Sequence, residues 1–204
     1  MDILISVPDR ATAAVQECHI VIEHALCRAV EHWLLAAPYQ HVTPGSIVSL
    51  QTLLTLRQEW ATAGCRLVWT NGCFDLIHAG HLASLEAARA LGDVLVVGVN
   101  EDAAVRRLKG EGRPLMPAAD RAALLAALRP VDYVVVFEGD TPEAILAELR
   151  PDIHCKGADY AGVNGKPVPE RAVVESYGGR VEFLPLIDGR STTSLVRALR
   201  GEET

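Results

Sequence analysis

From residue 66 onward, short continuous apolar runs alternate with longer stretches in which apolar residues recur every three or four positions. The first pattern is typical of strands buried on both faces, and the second is typical of amphipathic helices. The pattern predicts strands at 66–70, 94–99, 133–137, 153–156 and 181–184, and helices at 80–91, 118–128, 142–149, 170–177 and 193–199.

Alternating strands and helices of this kind indicate a doubly wound α/β fold, a Rossmann-like parallel sheet with helices on both faces. In such sheets ligands collect at the carboxyl ends of the strands. Functional residues are therefore expected just after the apolar runs.

The residues before 66 follow a different pattern. A short strand is predicted at 3–7, and apolar spacing predicts a long helix through residues 15–33. After the segment from Pro38 to Gly45, Ser49 is placed to cap a second helix that ends at Gly64. We therefore divide the chain into a helical N-terminal extension, residues 1–44, and a main domain, residues 45–204.

Composition narrows the classes of function. The 204 residues are 50% hydrophobic and 22% charged, which fits one buried α/β domain with an appendage. The formal net charge of -7 argues against a nucleic-acid partner, because such binding needs a concentrated basic surface. The sequence shows neither a secretion signal nor an apolar run long enough to span a membrane, so we expect no membrane partner and a cytoplasmic location.

The run from Asn71 to His81, NGCFDLIHAGH, follows the first strand of the main domain. His78 and His81 lie three residues apart at a predicted helix start, so they share a face where free amides and the helix dipole favour an anion. Gly80 between them lets a nucleotide approach the backbone closely. This arrangement predicts a phosphate site, and the alternative is two histidines that only cap the helix.

The HAGH run after GCFD resembles the nucleotidyltransferase superfamily, which includes the cytidylyltransferases and pantetheine-phosphate adenylyltransferase. About three quarters of the chain, residues 47–199, is similar to the adenylyltransferase domain of the bifunctional heptose-phosphate kinase and adenylyltransferase. The runs that carry this resemblance are TNGCFDLIHAGH, LGDVLVVGVNEDAAVRRLKGEGRP, DRAALLAALRPVDYVVVF, LRPDIHCKGADY and LPLIDGRSTTSLV.

This resemblance implies that ATP and D-glycero-β-D-manno-heptose 1-phosphate react to give ADP-heptose and pyrophosphate. A sugar 1-phosphate has a second pKa near 6, so it is largely dianionic at neutral pH and needs no general base. The histidines are then expected to donate hydrogen bonds to the α-phosphate as charge develops. Mg²⁺ is expected to arrive with ATP, and no metal site of the protein's own is predicted.

Each of three further residues can be interpreted either as functional or as an ordinary structural residue. Lys109, with His78 and His81, is assigned to catalysis because it matches the family's LKG run and can reach the leaving pyrophosphate, although it also fits a solvated basic patch. Arg121 matches an arginine that reaches the substrate phosphate in related transferases, or it is a surface ion pair with Asp120. Asp75 is assigned with Arg121 to substrate binding, where it orients the loop or assists magnesium, or it simply closes a turn.

The remaining predicted contacts are to the nucleotide and its phosphates. Besides Gly80, they comprise Asn71, Gly72, Phe74, Lys156, Gly157, Asp159, Ser191, Thr192 and Thr193. The STT element resembles the one that closes the nucleotide site in this superfamily, and it can also cap the last helix. Ala158 stands where the family usually has Gly, which departs from its pattern.

Residues 2–31 resemble the final strand and helix of phosphoheptose isomerase, a sugar isomerase domain. Gln16 and His24 match residues that help to bind the active-site metal in that family. Since the rest of that domain is missing, we expect no isomerase activity. The segment is either a remnant of an isomerase fusion, covered by an isomerase partner or by a homodimer mate, or a helix that packs on the main domain.

Two other functions stay open. One is a cytidylyltransferase that acts on glycerol 3-phosphate or another polyol or sugar phosphate. The other is a catalytically silent nucleotide-binding module that accompanies a sugar-phosphate isomerase. Intact His78, His81, Lys109 and the STT element argue against the silent module, because degeneration would be expected to have changed one of them.

Overall fold

The computed structural model of the chain describes residues 45–160 and 167–185. Several expectations lie outside these residues. They are the extension over residues 1–44 with its strand and long helix, the last helix at 193–199, and the STT element.

The described residues form six strands and six α-helices. The strands are β1 (Ser46–Ile47), β2 (Leu67–Gly72), β3 (Val94–Asn100), β4 (Tyr133–Phe137), β5 (Ile153–Gly157) and β6 (Arg180–Leu184). The helices are α1 (Leu50–Thr62), α2 (Ala79–Arg89), α3 (Asp102–Lys109), α4 (Ala118–Ala126), α5 (Glu143–Leu149) and α6 (Arg171–Ser176), with a 3-10 turn at Ala158–Tyr160. The predicted bounds agree within about two residues. No bounds were predicted for α3 or for β1, whose two residues carry no periodicity.

The six strands form one parallel sheet in the order β1-β4-β3-β2-β5-β6. All seven residues of β3 are buried, which requires cover on both faces of the sheet. The predicted doubly wound α/β fold is confirmed.

The order of the strands fixes where a ligand can bind. From β2 the chain builds β3 and β4 on one side, and it then returns to place β5 and β6 on the other side. The direction of winding therefore reverses between β2 and β5. In open α/β sheets the crevice at such a reversal, beyond the carboxyl ends of the strands, is the usual ligand site.

Three aspartates link the starts of neighbouring strands in the centre of the sheet. Each one stands immediately before a strand and accepts a hydrogen bond from the backbone at the start of the neighbouring strand. The bonds are Arg66 N to Asp93, Leu95 N to Asp132 and Leu67 N to Asp152, each 2.7 Å long. These amides lie at the beginning of the strands, where the neighbouring strand offers them no carbonyl oxygen. The carboxylates accept their hydrogen bonds instead.

Packing against the sheet holds the helix that carries the histidine motif. Leu85 and Ala88 of α2 and Leu125 of α4 are essentially inaccessible to solvent and belong to one apolar cluster with the strands. Burial of this kind contributes roughly 25 cal/mol for each Å² of apolar surface removed from water. The start of α2 is thus fixed at the carboxyl end of β2.

In the described part of the chain, no helix is long and apolar enough to cross a membrane.

A close approach between β2 and β3 requires glycine at position 98. The Trp69 indole is fully buried and lies over Gly98, where a methyl group would overlap two of its ring carbons. Trp69 Nε1 has no hydrogen-bond partner among the described residues, so the ring is held by packing.

We expect Gly98→Ala to lower the free energy of unfolding by about 1–3 kcal/mol, the usual cost of overpacking. Urea denaturation followed by circular dichroism measures it. Trp69→Phe removes the overlapping part of the indole, so Gly98→Ala should cost less in a Trp69→Phe background than in the wild type. An equal cost in both backgrounds would contradict the proposed overlap.

Candidate active site

An open cavity of about 560 Å³ lies at the carboxyl ends of β2, β3 and β5. This volume suits a small-molecule ligand of nucleotide size. Its wall includes a group of residues that the sequence analysis selected: Asn71, Gly72, Phe74, Asp75, His81, Lys109 and Lys156. The fold therefore brings three separate parts of the chain to one place, at the predicted edge of the sheet.

The first turn of α2 determines how His81 enters this cavity. His78 caps the helix in an extended backbone conformation, with φ -140° and ψ 171°. Its backbone N–H donates to Nδ1 of His81 over 3.4 Å, which is a long hydrogen bond. The Phe74 ring packs on His81 with 5.3 Å between ring centroids, and Phe74 reaches this position with a positive φ of 48°. The orientation of the imidazole is thus set from two sides.

His81 is neutral under ordinary conditions. Burial, assisted by the neighbouring His78, lowers the pKa of His81 to about 4. A neutral imidazole carries one N–H, and Nδ1 already accepts a hydrogen bond, so the proton resides on Nε2. His81 therefore offers the cavity a neutral hydrogen-bond donor, and neither a cation nor a free base.

His78 lies beside His81 on one face of the helix start, as expected, but it does not line the cavity. Its ring stacks on that of His81, with 3.9 Å between centroids and 24° between planes. The stacking helps to keep His81 in place. A direct contact between His78 and the reacting phosphate stays a prediction.

Asp75 ties two loops of the site together. One carboxylate oxygen pairs with Arg113 at 2.5 Å, and the other accepts the backbone N–H groups of Leu115 and Met116 at 2.6 and 3.1 Å. The carboxylate is buried and both of its oxygens are engaged. This geometry favours the loop-orienting interpretation of Asp75 over the magnesium ligand and the isolated turn.

The structure corrects the expectation for Arg121. Its side chain is fully buried and absent from the cavity wall, so it is not a surface ion pair with Asp120, and its contact with the substrate phosphate stays a prediction. It pairs with Asp102 at 2.7 Å. The guanidinium also donates to the backbone oxygens of Met116, Cys73 and Asn100. Sequence alone did not reveal this, because a buried arginine and an exposed one look alike in a helix pattern.

The lysines predicted to contact the nucleotide lie in different environments. Lys109 ends α3 and lines the cavity, while Arg107 of the same basic run pairs with Asp140 at 2.8 Å. Lys156 at the end of β5 places its ammonium 2.5 Å from a Glu170 oxygen and 5.2 Å from the centroid of the Tyr160 ring. Lys109 and Lys156 therefore both line the cavity, in different surroundings.

Three predicted residues lie near the site without forming its wall. Gly80 is buried in the first turn of α2, Gly157 ends β5, and Asp159 lies in the following 3-10 turn. Ser191, Thr192 and Thr193 lie outside the described residues. The roles assigned to all of these residues stay predictions.

The wall also contains residues that the sequence analysis missed, namely Asn100, Arg113, Tyr160 and Glu170. Asn100 ends an apolar strand, so the rule that selected Asn71 could have found it. Arg113 stands in a loop where neither periodicity nor a helix start marks it. Glu170 opens the predicted helix at 170–177, but that position alone does not show its contacts with His154 and Lys156. Both charges look like ordinary surface charges until the fold buries Glu170 and pairs Arg113 with Asp75.

The donors in the described residues do not form a metal cage. No three His, Cys, Asp or Glu side chains there group as ligands. Asp75, which lines the cavity, is already committed to Arg113 and two amides. A magnesium ion bound mainly by the phosphates of a nucleotide, with few protein ligands, suits this arrangement.

We expect ¹⁵N NMR to show His81 as the Nε2–H tautomer at pH 7, with a titration midpoint near 4. His81→Gln identifies the resonance. Because the unfolded chain takes up this proton near pH 6.5 and the folded protein only near 4, the free energy of unfolding should fall as pH drops through that window. A midpoint near 6.5, or an Nδ1–H tautomer, would contradict the described geometry.

Replacing Arg121 with methionine should cost about 3–5 kcal/mol of stability, since it strands Asp102 and three backbone acceptors. Arg129→Met is the matched control. Its side chain is 94% exposed and its nearest carboxylate is 3.8 Å away, so a change within about 0.5 kcal/mol is expected. Urea denaturation gives both values, and equal stability of the two variants would refute the structural role of Arg121.

Comparisons with known proteins identify the family to which the chain belongs. Residues 69–179, more than half of the chain, match the family described as cytidylyltransferase-like. Bifunctional protein HldE of Pelobacter propionicus is 53% identical over 152 residues, which are 74% of this chain and 30% of that protein. Bifunctional protein HldE of Streptomyces coelicolor is 55% identical over 136 residues, 66% of this chain and 29% of that protein. This chain spans less than a third of the length of either relative.

A crystal structure of the lipopolysaccharide core biosynthesis protein from Thermoplasma volcanium covers 61% of this chain and 98% of its own, at 28% identity and a TM-score of 0.49. The family match and the relatives confirm the sequence resemblance to the nucleotidyltransferase superfamily and to part of a bifunctional enzyme. The chain belongs to the cytidylyltransferase-like family of nucleotidyltransferases.

Proposed function

We propose that the chain is an adenylyltransferase that converts MgATP and D-glycero-β-D-manno-heptose 1-phosphate to ADP-heptose and pyrophosphate. The observation that carries this proposal is the neutral His81, held by the start of α2 in the wall of a nucleotide-sized cavity. The relatives named Bifunctional protein HldE support the choice of adenylyl transfer to a heptose phosphate.

The proposed reaction is one in-line displacement. An oxygen of the sugar 1-phosphate forms a bond to the α-phosphorus of ATP, and the bond from that phosphorus to the bridging oxygen of the β-phosphate breaks. Pyrophosphate leaves with the electron pair. No proton has to be removed from the nucleophile, because a phosphate with a second pKa near 6 is largely dianionic at neutral pH.

The protonation state of His81 suits this chemistry. A neutral ring with its proton on Nε2 can donate to a phosphate oxygen whose charge grows in the transition state. It keeps this state over the physiological range, since its pKa lies near 4. The reaction therefore does not depend on a histidine that changes charge near neutrality.

The two lysines in the cavity wall are assigned to opposite ends of a bound nucleoside triphosphate. Lys109, at the exposed end of α3, is assigned to the departing pyrophosphate. Lys156 is assigned to the base and ribose end, next to Tyr160. Mg²⁺ belongs to the substrate, where it neutralises the β- and γ-phosphates. The STT element is proposed to close the phosphate site.

The sugar and the base rest on the resemblance to the bifunctional enzyme. The family description, cytidylyltransferase-like, keeps transfer from CTP to glycerol 3-phosphate or another polyol phosphate as the second candidate. Pairing with a second copy of the chain or with an isomerase, through residues 1–44, is proposed from the sequence and can be tested by light scattering.

Pyrophosphate release should be fastest with MgATP and the heptose 1-phosphate when ATP and CTP are each combined with sugar 1-phosphates and glycerol 3-phosphate. His81→Ala should reduce kcat by about a hundredfold to a thousandfold, the usual cost of losing one donor to a developing oxyanion. Arg129→Met, exposed and outside the cavity wall, serves as the control and should retain wild-type kcat.

Each other outcome has a distinct meaning. Faster turnover with CTP would replace the proposal by the cytidylyltransferase. Nucleotide binding without turnover of any pair would favour the silent module. Full activity of a folded His81→Ala protein would refute the mechanism.

A further inference from the structure

A cluster of three side chains lies at the end of β5, with Lys156 and Glu170 in the wall of the cavity and His154 behind them. One oxygen of Glu170 lies 3.0 Å from Nε2 of His154 and 2.5 Å from Nζ of Lys156. His154 is fully buried and Glu170 is 1% exposed. His154 and Lys156 come from β5, and Glu170 caps α6. The function proposed above uses Lys156 but assigns no role to the other two.

Charge and hydrogen bonding define the state of the cluster. Burial by itself would raise the pKa of Glu170, but hydrogen bonds from His154 and Lys156 outweigh it and lower this pKa to about 2. Burial also lowers the pKa of His154, against the opposing effect of its hydrogen bond to Glu170. Glu170 is thus a carboxylate between a lysine cation and a neutral histidine.

A carboxylate only accepts hydrogen bonds, so the proton of His154 must be on Nε2. Its Nδ1 is buried and has no partner among the described residues. His154 therefore anchors the carboxylate from the core side, while Lys156 approaches it from the cavity side.

Among these three side chains, Lys156 is the cation, and it lies on the side of the wall that is open to the cavity. Its side chain is 12% exposed and its ammonium also faces the Tyr160 ring. The ammonium has three N–H donors, and the Glu170 oxygen takes one of them. Within residues 45–160 and 167–185 the ammonium makes no other hydrogen bond, so its remaining donors, directed by the bond to Glu170, can serve acceptor atoms of a ligand.

We propose that Glu170 is a positioning residue, which fixes the ammonium of Lys156 at the nucleotide end of the cavity while His154 fixes Glu170. This rests on the proposed function in that the ligand is a nucleotide. Ordering a lysine side chain on binding carries an entropic cost, which is avoided when the side chain is already held. The cluster therefore increases affinity for the nucleotide and leaves the chemical step largely alone.

The first experiment compares Glu170→Gln with Glu175→Gln, an exposed glutamate on the same helix. Calorimetry measures the Kd of each protein for the magnesium complex of α,β-methylene-ATP, an analogue that does not react. We expect Kd to rise about tenfold in Glu170→Gln and less than twofold in Glu175→Gln. KM for ATP should rise in parallel, with kcat and KM for the sugar phosphate within about threefold of wild type.

A double variant separates positioning from general structural support. Lys156→Met should weaken nucleotide binding by tenfold or more. If Glu170 acts through Lys156, adding Glu170→Gln to Lys156→Met should change Kd by less than twofold. An equal loss in both backgrounds would overturn the proposal, because Glu170 would then support binding by another route.

A measurement on the wild-type protein without nucleotide covers the case in which Glu170→Gln fails to fold. ¹⁵N NMR should show the Nε2–H tautomer of His154 and a slowly exchanging Lys156 ammonium bonded to a carboxylate. A freely rotating, rapidly exchanging ammonium would overturn the proposal whatever ligand the cavity takes. If wild type and a folded Glu170→Gln bind the analogue equally, the positioning role fails while the adenylyltransferase stands. If wild type binds neither ATP nor CTP, the proposed function fails instead.

Discussion

At the first turn of α2, the backbone N–H of His78 donates to Nδ1 of His81, and the other ring nitrogen is left to carry the proton. This bond exists because the helix begins at the carboxyl end of β2, where helix amides have no partner from a preceding turn. Burial keeps the ring neutral. The position of one strand and one helix start thereby gives the cavity a fixed, uncharged donor.

Buried charges hold the loops around that donor. Arg121 bonds to backbone oxygens of two loops and of the end of β3, Asp75 ties the loop after β2 to the loop before α4, and Glu170 holds Lys156. Placing such groups inside the protein costs desolvation, which their hydrogen bonds offset. What they provide is a site whose geometry is set before a ligand arrives.

The sequence predicted the sheet and its helices well, because long apolar runs such as β3 and the spacing in α2 have one physical explanation. It also predicted where His81, Lys109 and Lys156 would meet, since strand ends converge in a parallel sheet. It could not distinguish the buried Arg121 from an exposed arginine, and it passed over Glu170. Both depend on contacts across the fold, 48 positions apart for Arg121 and Cys73 and 16 for Glu170 and His154.

A crystal structure with the magnesium complex of α,β-methylene-ATP tests the central claim most directly. The account predicts an oxygen of the α-phosphate about 3 Å from Nε2 of His81, with the triphosphate running towards Lys109 and the base towards Lys156. A nucleotide bound at another place, with the His81 ring turned away from every phosphate, would contradict it.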